Sequence, residues 1–438
     1  MQTVLPNHAE RMASGSPARP SHSLQFAPAA ARWALLALLL GIYLGGMPYL
    51  VVISPVLLYG AYLVMISASA MVLVSDWPSI RGLRWVAPYL AWATFYCYWG
   101  TLVAPPELSL GEAAKTWMKV MLVTGTLALA LNNRRTLRLF ANLVQGAAMV
   151  NVAIALWEVK HPALIEKLAR AHDSLATAFN VERPAGIWSN PDAASFGYLF
   201  ALLLSFWGRG PVVWAGRLAC FVGIYLSASR TGAYVLLLGC LLLAVGKIGR
   251  MKWRPGVIAV IILGAMAAVG IGLAAVKMAP AGAFDLSQNR NVLRFADFLE
   301  TDATRSGDPG RVEIAQAAAV QAFEGPWYGY GLYTFQMEPK DPLAVLDVGA
   351  HNLFITVWGE TGIPGAVTFS VLLAIGLCRL ATVPLSGNDR LLLTLFWMGY
   401  LLIALTWHNQ MTSFVGMLYT AALWHLPGVL GEAGMERQ

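Results

Sequence analysis

Apolar runs of roughly 17–25 residues, each long enough to cross about 30 Å of hydrocarbon, recur from one end of this chain to the other. Few other features constrain folding so strongly. A chain built this way must satisfy its backbone within helices, because hydrocarbon offers no other partner. Windows of about 19 residues place spans at 32–46, 49–74, 85–104, 115–131, 137–158, 192–207, 211–226, 232–247, 256–278, 352–378, 390–406 and 411–428. Composition agrees. Charged residues make up 12% of the 438 and apolar ones 58%, whereas soluble domains carry about a quarter charged. The expected fold class is an all-α integral membrane protein with about twelve transmembrane helices.

The positions of Lys and Arg set the orientation. Alternate connections carry Arg81 and Arg84, then Arg134, Arg135 and Arg138, then Arg209 and Arg217, then Lys247, Arg250, Lys252 and Arg254, then Arg379 and Arg390. The intervening short connections, around Met47-Pro48, Ala104 to Glu112 and Thr406 to Gln410, have none. By the positive-inside rule the basic connections are cytoplasmic, and both termini lie with them. The net charge of +7 is therefore a topology signal, and nucleic acid is not an expected partner. The stretch 49–74 is long, and Ser54-Pro55 marks where it would kink or split.

Five segments follow. Residues 1–31, rich in Pro, Ser and Ala, read as a disordered cytoplasmic tail. Residues 32–278 hold nine spans, with a non-cytoplasmic loop at about 159–191. Residues 279–351 form a large non-cytoplasmic loop, 352–428 the last three spans, and 429–438 a second cytoplasmic tail. The first apolar run starts after Arg32, too far into the chain for an ordinary cleavable signal, so it is expected to stay as the first span. Within the large loop, Asp308-Pro309 has helix-start chemistry. Val312, Ala315, Ala319, Ala322 and Phe323 then have helical spacing, and Gly325-Pro326 stops the run. Asn291 to Glu300 is a second candidate short helix. Cys97, Cys220, Cys240 and Cys378 all fall in apolar spans and read as small hydrophobes.

Arg230 stands out among the charges. It lies in the short turn Ser227-Ala228-Ser229-Arg230-Thr231-Gly232, on the side that otherwise lacks arginine. A guanidinium there suits a lipid phosphate, which it grips with two parallel donors. Snorkelling to a headgroup or a helix-end carbonyl is the plainer alternative. Arg311 sits at the start of the loop helix, where its charge opposes the helix dipole. Asp308 or Glu313 would compensate it, and so would a diphosphate at the same helix N-terminus. His351 precedes Asn352, the expected N-cap of the span that follows. A nearby helix N-terminus favours neutral imidazole, the form that takes up a proton; His408 is the rival position.

Arg183 and Trp188, in the segment Arg183 to Asp192, have the makings of a phosphate and sugar contact, but a structural turn around Asn190-Pro191 is the preferred reading. Pro326-Trp327-Tyr328-Gly329-Tyr330-Gly331 reads as a flexible aromatic turn anchored at a membrane interface. No metal site is expected. Glu300-Thr301-Asp302 is the one close acidic pair in the large loop and has no His beside it in sequence. The cytoplasmic connections are too short for a nucleotide-binding domain, so neither ATP nor another cofactor is expected.

The Ser-Ala-Ser-Arg-Thr-Gly turn, Gly310-Arg311, the run Gly-Tyr-Gly-Leu-Tyr-Thr-Phe at 329–335 and Gly349-Ala350-His351-Asn352 come in an order that resembles the O-antigen ligase and polymerase superfamily. The resemblance covers roughly residues 180–365. It implies a fold like the lipid-dependent, C-type glycosyltransferases, in the bacterial inner membrane with a periplasmic active site. It implies a glycan donor on undecaprenyl diphosphate and the lipid A–core oligosaccharide as acceptor, with membrane lipid around both. The expected roles are His351 as the catalytic base and Arg230, Arg311 and, less directly, Arg183 at the diphosphate, in a metal-independent, inverting transfer. An O-antigen polymerase and a protein O-oligosaccharyltransferase share the same signature. A glycan or lipid flippase is the alternative from a different class, and it predicts ionisable residues in mid-span and similar halves.

Overall fold

The computed structural model describes residues 22–43, 55–75, 77–104, 110–161, 186–188, 191–227, 311–333, 335, 350, 352–405 and 413–435. Among these residues the regular structure is helical, without a strand. The helices are α1 (His22–Tyr43), α2 (Pro55–Ser75), α3 (Leu83–Val103), α4 (Leu110–Ala130), α5 (Arg134–Lys160), α6 (Pro191–Leu204), α7 (Pro211–Leu226), α8 (Arg311–Glu324), α9 (Leu353–Thr382), α10 (Gly387–Ala404) and α11 (Phe414–Met435). Short 3-10 turns occupy Trp77–Gly82 and Gly186–Trp188. Each expected span has a helix at its place except 232–247 and 256–278, which lie outside the described residues. Within the long stretch 49–74, the described part is a helix beginning at Pro55, a residue preorganised for a first helical position; residues 49–54 lie outside the described residues.

By length and composition, α5, α9 and residues 414–431 of α11 are able to cross a membrane, and 59–75 with 80–103 pass the same test taken together. The other helices fall short for identifiable reasons. α6 and α7 have only 14 and 16 residues, and α4 carries Glu112, Lys115 and Lys119.

Local signals start several helices. Asn133 caps α5 through a capping box, accepting from the amides of Arg135 and Thr136 at 2.9 Å each while Thr136 Oγ1 accepts from the Asn133 amide. Asn352 caps α9 as its sequence suggests, accepting from the amides of Phe354 (2.9 Å) and Ile355 (3.2 Å). Ser386 does the same for α10.

α11 is the central helix. It is apolar all round and almost wholly buried, as such a pattern requires, and α3, α4, α6 and α10 pack around it. Its Tyr419 joins an aromatic cluster with Phe196, Phe200, Phe396 and Tyr400. Hydrophobic burial gives little drive between helices already in lipid, so close approach at small residues does more of the work. Gly376 faces the Trp397 ring and Gly223 the Tyr198 ring at distances that leave no room for a Cβ.

Among the described residues, arginine-bearing connections meet at one end of the bundle. Arg134 pairs with Asp389 at 2.7 Å, Trp207 Nε1 donates to the same carboxylate at 3.0 Å, and Arg379 donates to the Trp85 carbonyl at 2.6 Å. Arg379 also lies 5.5 Å over each of the Trp85 and Trp424 rings, and the Arg209 amide reaches Asn142 at 3.0 Å. At the other end the C-terminal turns of α1, α3 and α5 and the start of α9 receive the segments 186–188 and 325–335. Among the described residues, Arg134, Arg209 and Arg379 thus lie at the end of the bundle away from the segments 186–188 and 325–333.

Candidate functional site

The site is built where α9 breaks. Gly362 leaves the helix at φ 64°, ψ −157°, a left-handed conformation that glycine adopts without steric cost. Two residues later Pro364 has no N–H to offer the Glu360 carbonyl. A break inside a membrane helix must find new partners for its peptide groups, and here the loop after α8 supplies them. The Gly331 amide donates to the Glu360 carbonyl at 2.9 Å, the Tyr330 amide to the Gly359 carbonyl at 2.8 Å, and Ile363 donates back to the Trp327 carbonyl at 2.8 Å. Loop and broken helix satisfy each other.

The Glu360 side chain is 1% exposed. Its Oε1 accepts from the Tyr333 amide at 3.1 Å, and its Oε2 accepts from the Tyr96 hydroxyl of α3. Tyr333 is the sole non-glycine residue with positive φ (66°) among those described, and its hydroxyl shares a hydrogen bond with Thr116 of α4. The Leu332 amide donates to the Gly100 carbonyl at 3.0 Å, and Trp99 Nε1 to the Tyr328 carbonyl at 3.1 Å. Residues 327–333 are therefore fixed from α3, α4 and α9 at once. This corrects the expectation of a flexible turn, because backbone hydrogen bonds to the helix break hold it. Trp327 and Tyr328 remain 61% and 43% exposed.

α8 lies against the first segment of α9. Ala322, Phe335 and Ala350 form a small core with Ala318, Tyr330, Ile355 and Trp358 around it. Phe323 meets Trp358 edge-on at 6.0 Å. The helical spacing from Val312 to Phe323 and the stop at Gly325-Pro326 agree with α8; its expected start at Asp308-Pro309 and the candidate helix at 291–300 lie outside the described residues.

Of the expected site residues, Arg311 is the first residue of α8. For regular helical rise its backbone lies about 16 Å along the axis from Ala322, the residue packed beside Ala350. Arg230, Arg183 and His351 lie outside the described residues, as do His408 and Cys240. The turn after Arg183 is structural where it is described. The Gly186 amide donates to Glu158 at 2.8 Å, the Ile187 amide to Asn151 at 2.6 Å, and Trp188 Nε1 to the Tyr43 carbonyl at 2.5 Å.

Glu360 and Tyr96 were missed by sequence reasoning. The signal was available for Glu360: a carboxylate inside an apolar run is rare and calls for a partner. Tyr96 had none, since it lies 264 positions away.

No curated protein matches the chain. A family model described as O-antigen ligase (Wzy_C) matches residues 215–370. That stretch runs from α7 through α8 and the clasped loop to the first eighteen residues of α9, taking in Arg230, Arg311, His351 and Glu360 and leaving Arg183 outside. Residues 215–370 thus carry a domain similar to the O-antigen ligase family, which supports membership of the O-antigen ligase and polymerase superfamily.

Proposed function

We propose that the protein is an O-antigen ligase of the bacterial inner membrane, with both termini cytoplasmic and its active site on the periplasmic face. It transfers a glycan from undecaprenyl diphosphate to the lipid A–core oligosaccharide. The observation that carries this reading is the family match over residues 215–370. The geometry supports it: within that stretch, α8 and the loop after it dock at the end of the bundle away from the basic connections.

In this reading His351 takes the proton from the acceptor hydroxyl, which attacks the anomeric carbon as the bond to the diphosphate breaks. Inversion follows from direct displacement. Arg230 and Arg311 hold the departing diphosphate, where preorganised charge is most effective because negative charge grows there during the reaction. Arg183 has weaker support, since it lies outside the matched segment. The diphosphate linkage is already activated, so the transfer needs no ATP.

The test mixes purified protein, undecaprenyl-diphosphate glycan and lipid A–core with a chelator present. Glycosylated lipid A–core is expected, with His351→Ala reducing the rate about 10²–10⁴-fold, the usual worth of a positioned base. No product, or a His351→Ala variant as active as wild type, contradicts the reading. Arg230→Ala is expected to raise the donor KM roughly 10–100-fold, the worth of one hydrogen bond to a charged group. Glycan flux into liposomes without glycosidic bond formation would instead identify a flippase.

A further inference from the structure

We propose that Glu360 is a positioning residue: by clasping the strained Tyr333 turn it sets the register of α8 and its following loop against the first segment of α9. The proposal rests on the transferase reading for its kinetic arm but not for its structural arm.

Three observations meet at this carboxylate. The first is that both oxygens are used as acceptors, one by a backbone amide of the loop and one by a phenol of α3, in a place with 1% exposure. A buried carboxylate in an apolar run is costly unless its hydrogen bonds are satisfied, and here both oxygens are, which gives it a bridging role that a Leu would not fill. The second is that the residue it grips has a backbone conformation disfavoured for a side-chain-bearing residue, with φ 66° at Tyr333. Such conformations cost of order 1–3 kcal/mol and persist only where their surroundings over-determine them. Here Thr116 fixes the ring end of Tyr333 and Glu360 fixes the amide. The third is the reciprocal exchange of peptide hydrogen bonds between 327–331 and 359–363.

The loop is continuous with α8 through Gly325 and Pro326, and Tyr330 donates its hydroxyl hydrogen to the Gln321 carbonyl at 3.2 Å. A shift of the turn therefore carries α8 along α9. Misplacement of about 1 Å between groups that hold a substrate is enough to cost on the order of 10²-fold in rate. The clasp needs hydrogen bonding and not charge. In Glu360→Gln the amide oxygen still accepts from the Tyr333 N–H, and the amide nitrogen donates to the Tyr96 oxygen, since a phenol also accepts.

The experiment measures amide hydrogen exchange over residues 326–335 and transfer kinetics for Glu360→Ala, Glu360→Gln and Tyr96→Phe in detergent-solubilised full-length protein. Glu360→Ala is expected to speed exchange in that segment at least tenfold and to lower kcat about 10²-fold, with donor KM changed less than about threefold. Glu360→Gln is expected to stay within about fivefold of wild type in both. Tyr96→Phe removes one of the two partners without emptying the buried space, and it is expected to fall between them. Exchange in Glu360→Ala equal to wild type overturns the proposal, and so does a Glu360→Gln as slow in transfer as Glu360→Ala, which would assign the charge itself a catalytic role. A wild-type protein that transfers nothing would sink the transferase reading while leaving the exchange result to decide the clasp.

Discussion

At the scale of single residues, a few polar side chains inside this bundle join several helices at once. Asp389 accepts from Arg134, Trp207 and Ser386, at 2.7, 3.0 and 2.7 Å, and thereby ties α5, the α6–α7 turn and α10 together. Arg134 extends the link to α11 through the Leu430 carbonyl at 3.3 Å. The Asp389 side chain is 7% exposed and that of Arg134 32%. Removing one member of a fully buried pair costs about 3–5 kcal/mol. Here Arg134 regains water, so Asp389→Ala is expected to lower stability by roughly 1–3 kcal/mol, read from unfolding midpoints in mixed micelles; an unchanged midpoint would show that the set contributes nothing net. The sequence made the local partners visible and hid the distant ones. Asn352 was legible as a cap because cap and helix are neighbours, whereas Glu360 and Asp389 depend on residues brought in from 264 and 255 positions away, which no periodicity encodes.

At the scale of elements, apolar length located the helices well. α3, α5 and α7 begin and end within a few residues of the expected spans 85–104, 137–158 and 211–226. The break in α9 was less legible. Gly362 and Pro364 stand in the sequence as a warning, but hydropathy runs straight through them, and only the docked loop shows where the freed peptide groups go. Gly362→Ala would put a Cβ against the Trp327 carbonyl in a backbone conformation that alanine disfavours. It is expected to cost about 2 kcal/mol or more and to open the 326–335 loop to limited proteolysis. Resistance equal to wild type would mean that the break is not what holds the loop. The aromatic run reads as a flexible turn in the sequence; instead Gly329 and Gly331 are where the backbone lies close enough to α9 and the C-terminal end of α3 to be held.

At the scale of the whole molecule, the reading depends on the bundle having two different ends. One end gathers Arg134, Arg209 and Arg379 with their partners, and the other holds the loop, the start of α9 and the turn at 186–188. The charge alternation in the sequence predicts that these two ends face opposite sides of the bilayer, because basic residues in short connections set orientation. Chemistry was less legible. Arg230 and Arg311 fall within the O-antigen ligase match, and the roles proposed for them rest on resemblance, since an arginine near a membrane surface also snorkels.

Sidedness tests the central claim most directly. In a background with the four cysteines replaced by alanine, Asp347→Cys and Asn388→Cys are labelled in spheroplasts with a membrane-impermeant maleimide, before and after permeabilisation. The account predicts that position 347 reacts at once and that position 388 reacts only after the membrane is opened. The reverse pattern would put the large loop in the cytoplasm, on the wrong side for a periplasmic glycan transfer, and would contradict the account.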